Sequence, residues 1–118
     1  MPSIPIGVAN FFSAMQAGRA AEAEMRQLFA DDAVYIEPFS GKPQRHEGRD
    51  AIMQAMSAGW QQPLTDMRIV IDSAEVKGIE VHIRWICHSP GLPNGQGRGL
   101  NRFIMRNGLI SELETTFE

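Results

Sequence analysis

Apolar positions recur at helical spacing through the first half of the chain and at alternating spacing through the second. Val8, Phe11, Phe12 and Met15 fall at i, i+3, i+4 and i+7, which predicts one face of a helix ended by Gly18. Ala21, Met25, Leu28 and Phe29 repeat that spacing and predict a second helix over about residues 19–30. Asp31 and Asp32 then read as a turn. Residues 33–38 are rich in β-formers and predict a short strand limited by Pro38, which cannot donate to a ladder. Phe39 to Gly48 reads as a loop or short hairpin. Ala51, Ile52, Ala55 and Met56 share a stripe of a third helix, over about residues 49–59, closed by Gly59.

Everything after Pro63 reads as strand. Met67, Ile69 and Ile71 alternate with Arg68, Val70 and Asp72, and Val81, Ile83, Trp85 and Cys87 alternate with His82, Arg84, Ile86 and His88. Lys77-Gly78 reads as a hairpin turn, and Ser89 to Gly97, with two prolines and three glycines, as a long turn. Residues 98–106 predict the next strand. Asn107-Gly108 is a strong hairpin dipeptide, and Leu109 to Phe117 predicts the last strand with Leu113, Thr115 and Phe117 on one face. Helix, helix, strand, helix and four hairpin-linked strands describe an α+β domain, its helices on one face of a curved antiparallel sheet. Such a sheet leaves a cone with a mouth, a favoured place for small-molecule sites.

Composition narrows the classes. The 118 residues fit one domain. They can bury roughly two thirds of the unfolded surface without covalent staples. Net charge is −3, and the 11 basic residues are scattered, so no nucleic-acid footprint is expected. Cys87 is the only cysteine, which excludes an internal disulfide and a Cys-x-x-Cys site. Met1 to Val8 has no basic region or long apolar run, and no stretch approaches membrane-spanning length. The chain reads as soluble and cytoplasmic.

Leu28-Phe29-Ala30-Asp31-Asp32-Ala33-Val34, Glu37-Pro38-Phe39 and Gly48-Arg49-Asp50-Ala51-Ile52 together resemble the nuclear transport factor 2-like superfamily. Within it they resemble the ketosteroid isomerase and SnoaL-type polyketide cyclase branch. The resemblance implies a cone-shaped, cystatin-like α+β barrel with three helices from the N-terminal half, and a homodimer through the sheet. It also implies an apolar cyclic ketone or polyketide-like substrate and no cofactor. Reaction does not follow, because the same cone serves isomerases, cyclases, dehydratases, epoxide hydrolases and passive binders.

In ketosteroid isomerase the acidic residue before the motif proline is the general base, and Glu37 holds that place here. A carboxylate withdrawn from water is a better proton acceptor, which suits proton abstraction beside a carbonyl. The isomerase adds an oxyanion hole, a Tyr on the first helix and a protonated Asp on a late strand. Counting back from Asn107-Gly108 puts the Asp position on Asn101, whose amide donates without having to stay protonated. The Tyr position falls on Phe11 or Phe12, neither of which has a hydroxyl. One such donor is worth about 3 kcal/mol of transition-state stabilisation. Tyr35, on the face of Glu37, is the candidate replacement.

Parity puts Phe103 beside Asn101 on the pocket side. Met56, Trp60, Ile69, Trp85, Leu113 and Phe117 complete the predicted lining. His46 reads as an exposed loop residue or as a second acid/base near Glu37. His82 and His88 share a strand face but stand about 20 Å apart, too far for one metal ion, and no metal is expected. The glycines at 95, 97 and 99 follow no strand-to-helix pattern and give no dinucleotide loop. Arg84, Arg102 and Asp72 point away from the pocket, against an epoxide-hydrolase relay. Two functions from other classes stay open: a non-catalytic binding module for a small apolar ligand, and a dimeric protein-interaction scaffold.

Overall fold

A computed structural model describes residues 4–61 and 63–118; Met1–Ser3 of the N-terminal segment lie outside the described residues. Helix α1 (Ile6–Ala17) ends at Gly18, whose φ of 67° suits a residue without a Cβ. A 3-10 turn (Gly18–Ala21) leads into a six-residue α2 (Glu22–Gln27). Strand β1 (Phe29–Glu37) and the short β2 (Gln44–Glu47) precede α3 (Arg49–Trp60). Then follow β3 (Arg68–Lys77), β4 (Glu80–His88), β5 (Gln96–Arg106) and β6 (Leu109–Phe117). One six-stranded sheet results, in the order β2-β1-β6-β5-β4-β3. Two twelve-residue helices, α1 and α3, pack on it. No helix among the described residues is long and apolar enough to cross a membrane.

The sheet departs from the sequence reading in several ways. The expected second helix gives up its last turn, because Phe29 already pairs with Ile110. Asp31 and Asp32 make no turn: they lie within β1, where the register jumps between Phe29 and Val34, and both stay exposed. The sheet is not wholly antiparallel, since β1 runs parallel to β6. Helix α3 continues through Gly59 to Trp60. Strand β3 starts at Arg68, and a register shift between Ile71 and Ser73 ends the early alternation, so Ala74 rather than Ser73 pairs with core Ile83. Strand β5 starts at Gln96, which shortens the long turn.

The segments that carry the family resemblance meet in space and build the scaffold. Arg49, at the start of α3, donates to the Phe29 carbonyl (3.1 Å) and pairs with Asp31. Asp50 pairs with Arg26 of α2, and the Gly48 N–H donates to the Ala33 carbonyl (2.8 Å). These contacts fix α3 against the bulged start of β1 and so set where the rest of β1 points.

The core lies between α1, α3 and the concave sheet face. Phe11, Phe29, Phe103, Ile52, Ile83 and Leu113 are fully buried in it. Phe11 meets Phe103 edge-on with centroids 5.3 Å apart, and Phe12 meets Phe103 at 6.0 Å. At the far hairpin Asn107 and Gly108 both take positive φ, as a tight two-residue turn requires.

Candidate active site

Alternation along β1 turns Ala33, Tyr35 and Glu37 to the concave face, and all three are buried. Glu37 is 8% exposed. Its two oxygens have separate partners. The Phe39 N–H donates to Oε1 (2.8 Å), and His46 Nε2 stands 2.9 Å from Oε2. His46 is no exposed loop residue. It lies on β2 directly opposite Tyr35, so its side chain shares the concave face, and the two rings are 5.9 Å apart. An ionised carboxylate only accepts, so the proton of this pair resides on His46 Nε2 whenever Glu37 is charged.

Asn101 is the second polar centre, 4% exposed. Trp85 Nε1 donates to its Oδ1 (3.0 Å), and the Thr115 hydroxyl donates to the same oxygen (2.8 Å). An indole N–H can only donate, which fixes the amide's orientation. The Asn101 NH2 then has no protein acceptor among the described residues and opens into the cavity that Asn101 lines. Gly99 makes this arrangement possible: a Cβ built there would stand 2.1 Å from Trp85 Cζ2. The indole therefore lies on bare backbone.

Glu37 and Asn101 are two strands apart. Ile36 pairs with Glu114 and Asn101 with Thr115, so Glu37, Thr115 and Asn101 stand roughly level across β1, β6 and β5. That spacing puts about 10 Å between the Glu37 and Asn101 backbones. Between them lies a cavity in two parts. The inner chamber holds about 210 Å³ and is walled by Phe11, Phe12, Ile69, Trp85 and Asn101. The outer cleft holds about 750 Å³ and includes Glu37, Met56, Trp60, Gln16 and Arg19. Tyr35, Met15, Phe39, Leu64 and Met67 line both and form the seam.

Tyr35 presents its phenol at that seam. Burial pushes the phenol well above its ordinary range, the charge of Glu37 adds to this, and the neighbouring Thr115 hydroxyl partly counteracts it. Tyr35 therefore stays a protonated donor. It is also the only tyrosine, so its titration can be read directly. The folded protein should show no tyrosinate absorbance at about pH 11, where a free tyrosine is mostly ionised. Because only the unfolded chain gives up this proton, stability should fall as pH rises above about 10. Tyrosinate appearing at about pH 10 without unfolding would place the phenol in water instead.

A profile of the SnoaL-like domain matches residues 8–113. The chain belongs to this family. Solved structures share the fold of this SnoaL-like domain at low sequence identity. A candidate polyketide cyclase from Sinorhizobium meliloti is 21% identical with a TM-score of 0.78, covering 96% of this chain and 95% of that one. A protein of ketosteroid isomerase-like fold from Catenulispora acidiphila, in complex with trimethylamine, is 18% identical with a TM-score of 0.78, covering 98% and 88%. A candidate SnoaL-like polyketide cyclase from Jannaschia sp. CCS1 is 16% identical with a TM-score of 0.77, covering 100% and 91%. No curated protein matches the chain.

Within the SnoaL-like domain the residues expected in the pocket divide three ways. Phe11, Phe12, Ile69, Trp85, Asn101 and Phe117 line the inner chamber, with Tyr35 at the seam. Glu37, Met56 and Trp60 line the outer cleft. Phe103 and Leu113 line neither: both are 0% exposed, Phe103 packed against Phe11 and Phe12, and Leu113 paired in the sheet between Tyr35 and Phe103. Sequence reasoning missed Leu64, Met67 and Leu92, which come from connections folded over the mouth. Ser89 fastens these connections together: its hydroxyl donates to the Thr65 carbonyl (2.6 Å) and accepts from the Gly91 N–H (3.1 Å). The signal that would have found His46 is hairpin register, which pairs it with Tyr35 once β2 is recognised. On the opposite sheet face Arg102 meets Glu80, Glu112 and Glu114, and His82 meets Glu80. Among the described residues no three His, Cys, Asp or Glu side chains gather as metal ligands.

Proposed function

We propose that this SnoaL-like domain binds a small, largely apolar carbonyl compound and moves a proton on it by general-base chemistry, with no cofactor. The observation that carries the reading is the buried carboxylate of Glu37, held by Phe39 N–H and His46 beside a chamber into which Asn101 turns an NH2 with no protein acceptor among the described residues. A carbon acid next to the carbonyl gives its proton to Glu37. The electron pair moves to the carbonyl oxygen, and the resulting enolate accepts from the Asn101 NH2 and the Tyr35 hydroxyl. The proton returns from Glu37 to carbon, or is exchanged with water in the outer cleft that Glu37 lines. Isomerisation and ring closure of a cyclic ketone or polyketide-like substrate both use this sequence. The protein acts as a homodimer through the outer sheet face, where half-buried Ile86, Leu100 and Ile104 flank the Arg102 ion pairs.

One observation favours a second reading. Phe11 and Phe12 both wall the inner chamber and add no hydroxyl to it, as a passive binder of apolar ligands would have it. Incubation with cyclohex-2-enone in D2O, followed by NMR, separates the two. Protein-dependent deuterium uptake at carbons activated by the carbonyl is the expected result. A ligand that binds and is recovered without deuterium establishes the passive reading, and a ligand that does not bind at all removes both.

A further inference from the structure

We infer that the molecule taken here is a single oxygen-bearing ring on an anionic arm, the ring in the inner chamber and the arm in the outer cleft against Arg19. The inference rests on the carbonyl chemistry proposed for Glu37 and narrows its substrate.

Volume sets the ring. A protein cavity of about 150 Å³ accepts one benzene ring, and the inner chamber holds about 210 Å³. That leaves room in the chamber for a ring and a few substituent atoms, so three or four fused rings would have to cross the seam as one rigid block. The aromatic walls alone would also suit an alkylammonium ion. The Asn101 amide decides against it: its NH2 can only donate and has no protein acceptor among the described residues, and an alkylammonium ion brings it none. An acceptor oxygen on the ring satisfies that NH2.

Charge sets the arm. The outer cleft is larger, at about 750 Å³, and its lining holds two charged side chains, Glu37 and Arg19. Glu37 already has hydrogen-bond partners on both oxygens, His46 and the Phe39 N–H. Arg19, exposed on the 3-10 turn after α1, has no carboxylate within salt-bridge distance among the described residues. Arg19 is thus the charged group of the cleft that no protein partner among the described residues engages, and it lies on the side from which a ring seated in the chamber would trail its substituent. A carboxylate or phosphate at the end of a short chain answers it.

Titration calorimetry with 3-(4-oxocyclohexyl)propanoate, its primary amide and a tetracyclic steroid ketone tests both halves. The acid should bind about fivefold more tightly than the amide, the range of a partly exposed ion pair. In Arg19→Glu the ratio of acid to amide affinity should fall below one, and salt should erode it in the wild type. The steroid ketone should bind far more weakly than either. Equal affinities for acid and amide, or a ratio untouched by Arg19→Glu, would overturn the arm; a steroid bound as tightly as the single ring would overturn the size limit. None of these readings needs turnover. Deuterium exchange that persists without an acid preference sinks this inference alone, and an acid preference without exchange sinks the general-base reading alone.

Discussion

Glu37→Gln should slow protein-dependent deuterium exchange into a bound cyclic ketone by about 10²- to 10⁴-fold, the usual contribution of a positioned general base. The substitution keeps the volume and the ability to accept from the Phe39 N–H, so the loop after β1 has no reason to move. What it removes is the basic oxygen that takes the proton, and the negative charge facing His46 Nε2 2.9 Å away. Ketone affinity, measured by titration, should change little, because the carbonyl meets donors on Asn101 and Tyr35. Wild-type exchange rates in Glu37→Gln would eliminate Glu37 as the base. Lost ketone binding would show instead that the carboxylate holds the ligand.

Gly99→Ala should destabilise the protein by about 1–3 kcal/mol, the range for forcing one extra methyl into a packed site. The intruding Cβ would come within 2.1–2.6 Å of three atoms of the Trp85 ring, a rigid group that cannot yield by rotating a terminal bond. Once the indole leaves, Asn101 loses one of the two donors that orient its amide. Ketone affinity should then fall together with urea stability. Combining the change with Trp85→Ala gives the deciding control: the added methyl should cost almost nothing when the ring is gone. Equal costs in both backgrounds would mean that the methyl acts on something other than the indole.

Much of the fold was legible because its determinants are local. Gly18, the Asn107-Gly108 turn, and the alternation through Val81, Ile83, Trp85 and Cys87 each fix an element using residues a few positions apart. Gly78 marks its hairpin too, although the turn is Gly78-Ile79 and Lys77 still pairs with Glu80. Two kinds of feature were not legible. The first is pairing at long range. Phe29 continues the helical spacing of Met25 and Leu28, and only its partner Ile110 makes it a strand residue. The second is an edge strand with no apolar residue: Gln44-Arg45-His46-Glu47 shows no hydrophobic period, so His46 looked like part of a loop. The site followed the same division. Strand parity placed Tyr35, Glu37, Trp85 and Asn101 on the concave face. It also put Phe103 and Leu113 there, but parity cannot tell a wall from what lies beneath the wall.

The parallel pairing of β1 with β6 governs the order of events when the chain is made. Each strand from β3 to β6 adds to the sheet through a hairpin, and hairpins close within microseconds. Strand β1, which carries Tyr35 and Glu37, leaves the ribosome early and joins the main sheet only through β6, where Val34 meets Glu112. Until then its apolar face has no main sheet to cover it, and closing so long a loop is entropically slow. The binding cavity is thus completed last. A ligand cannot guide the nascent chain toward its fold; it can only retain the finished one, by mass action on the native state.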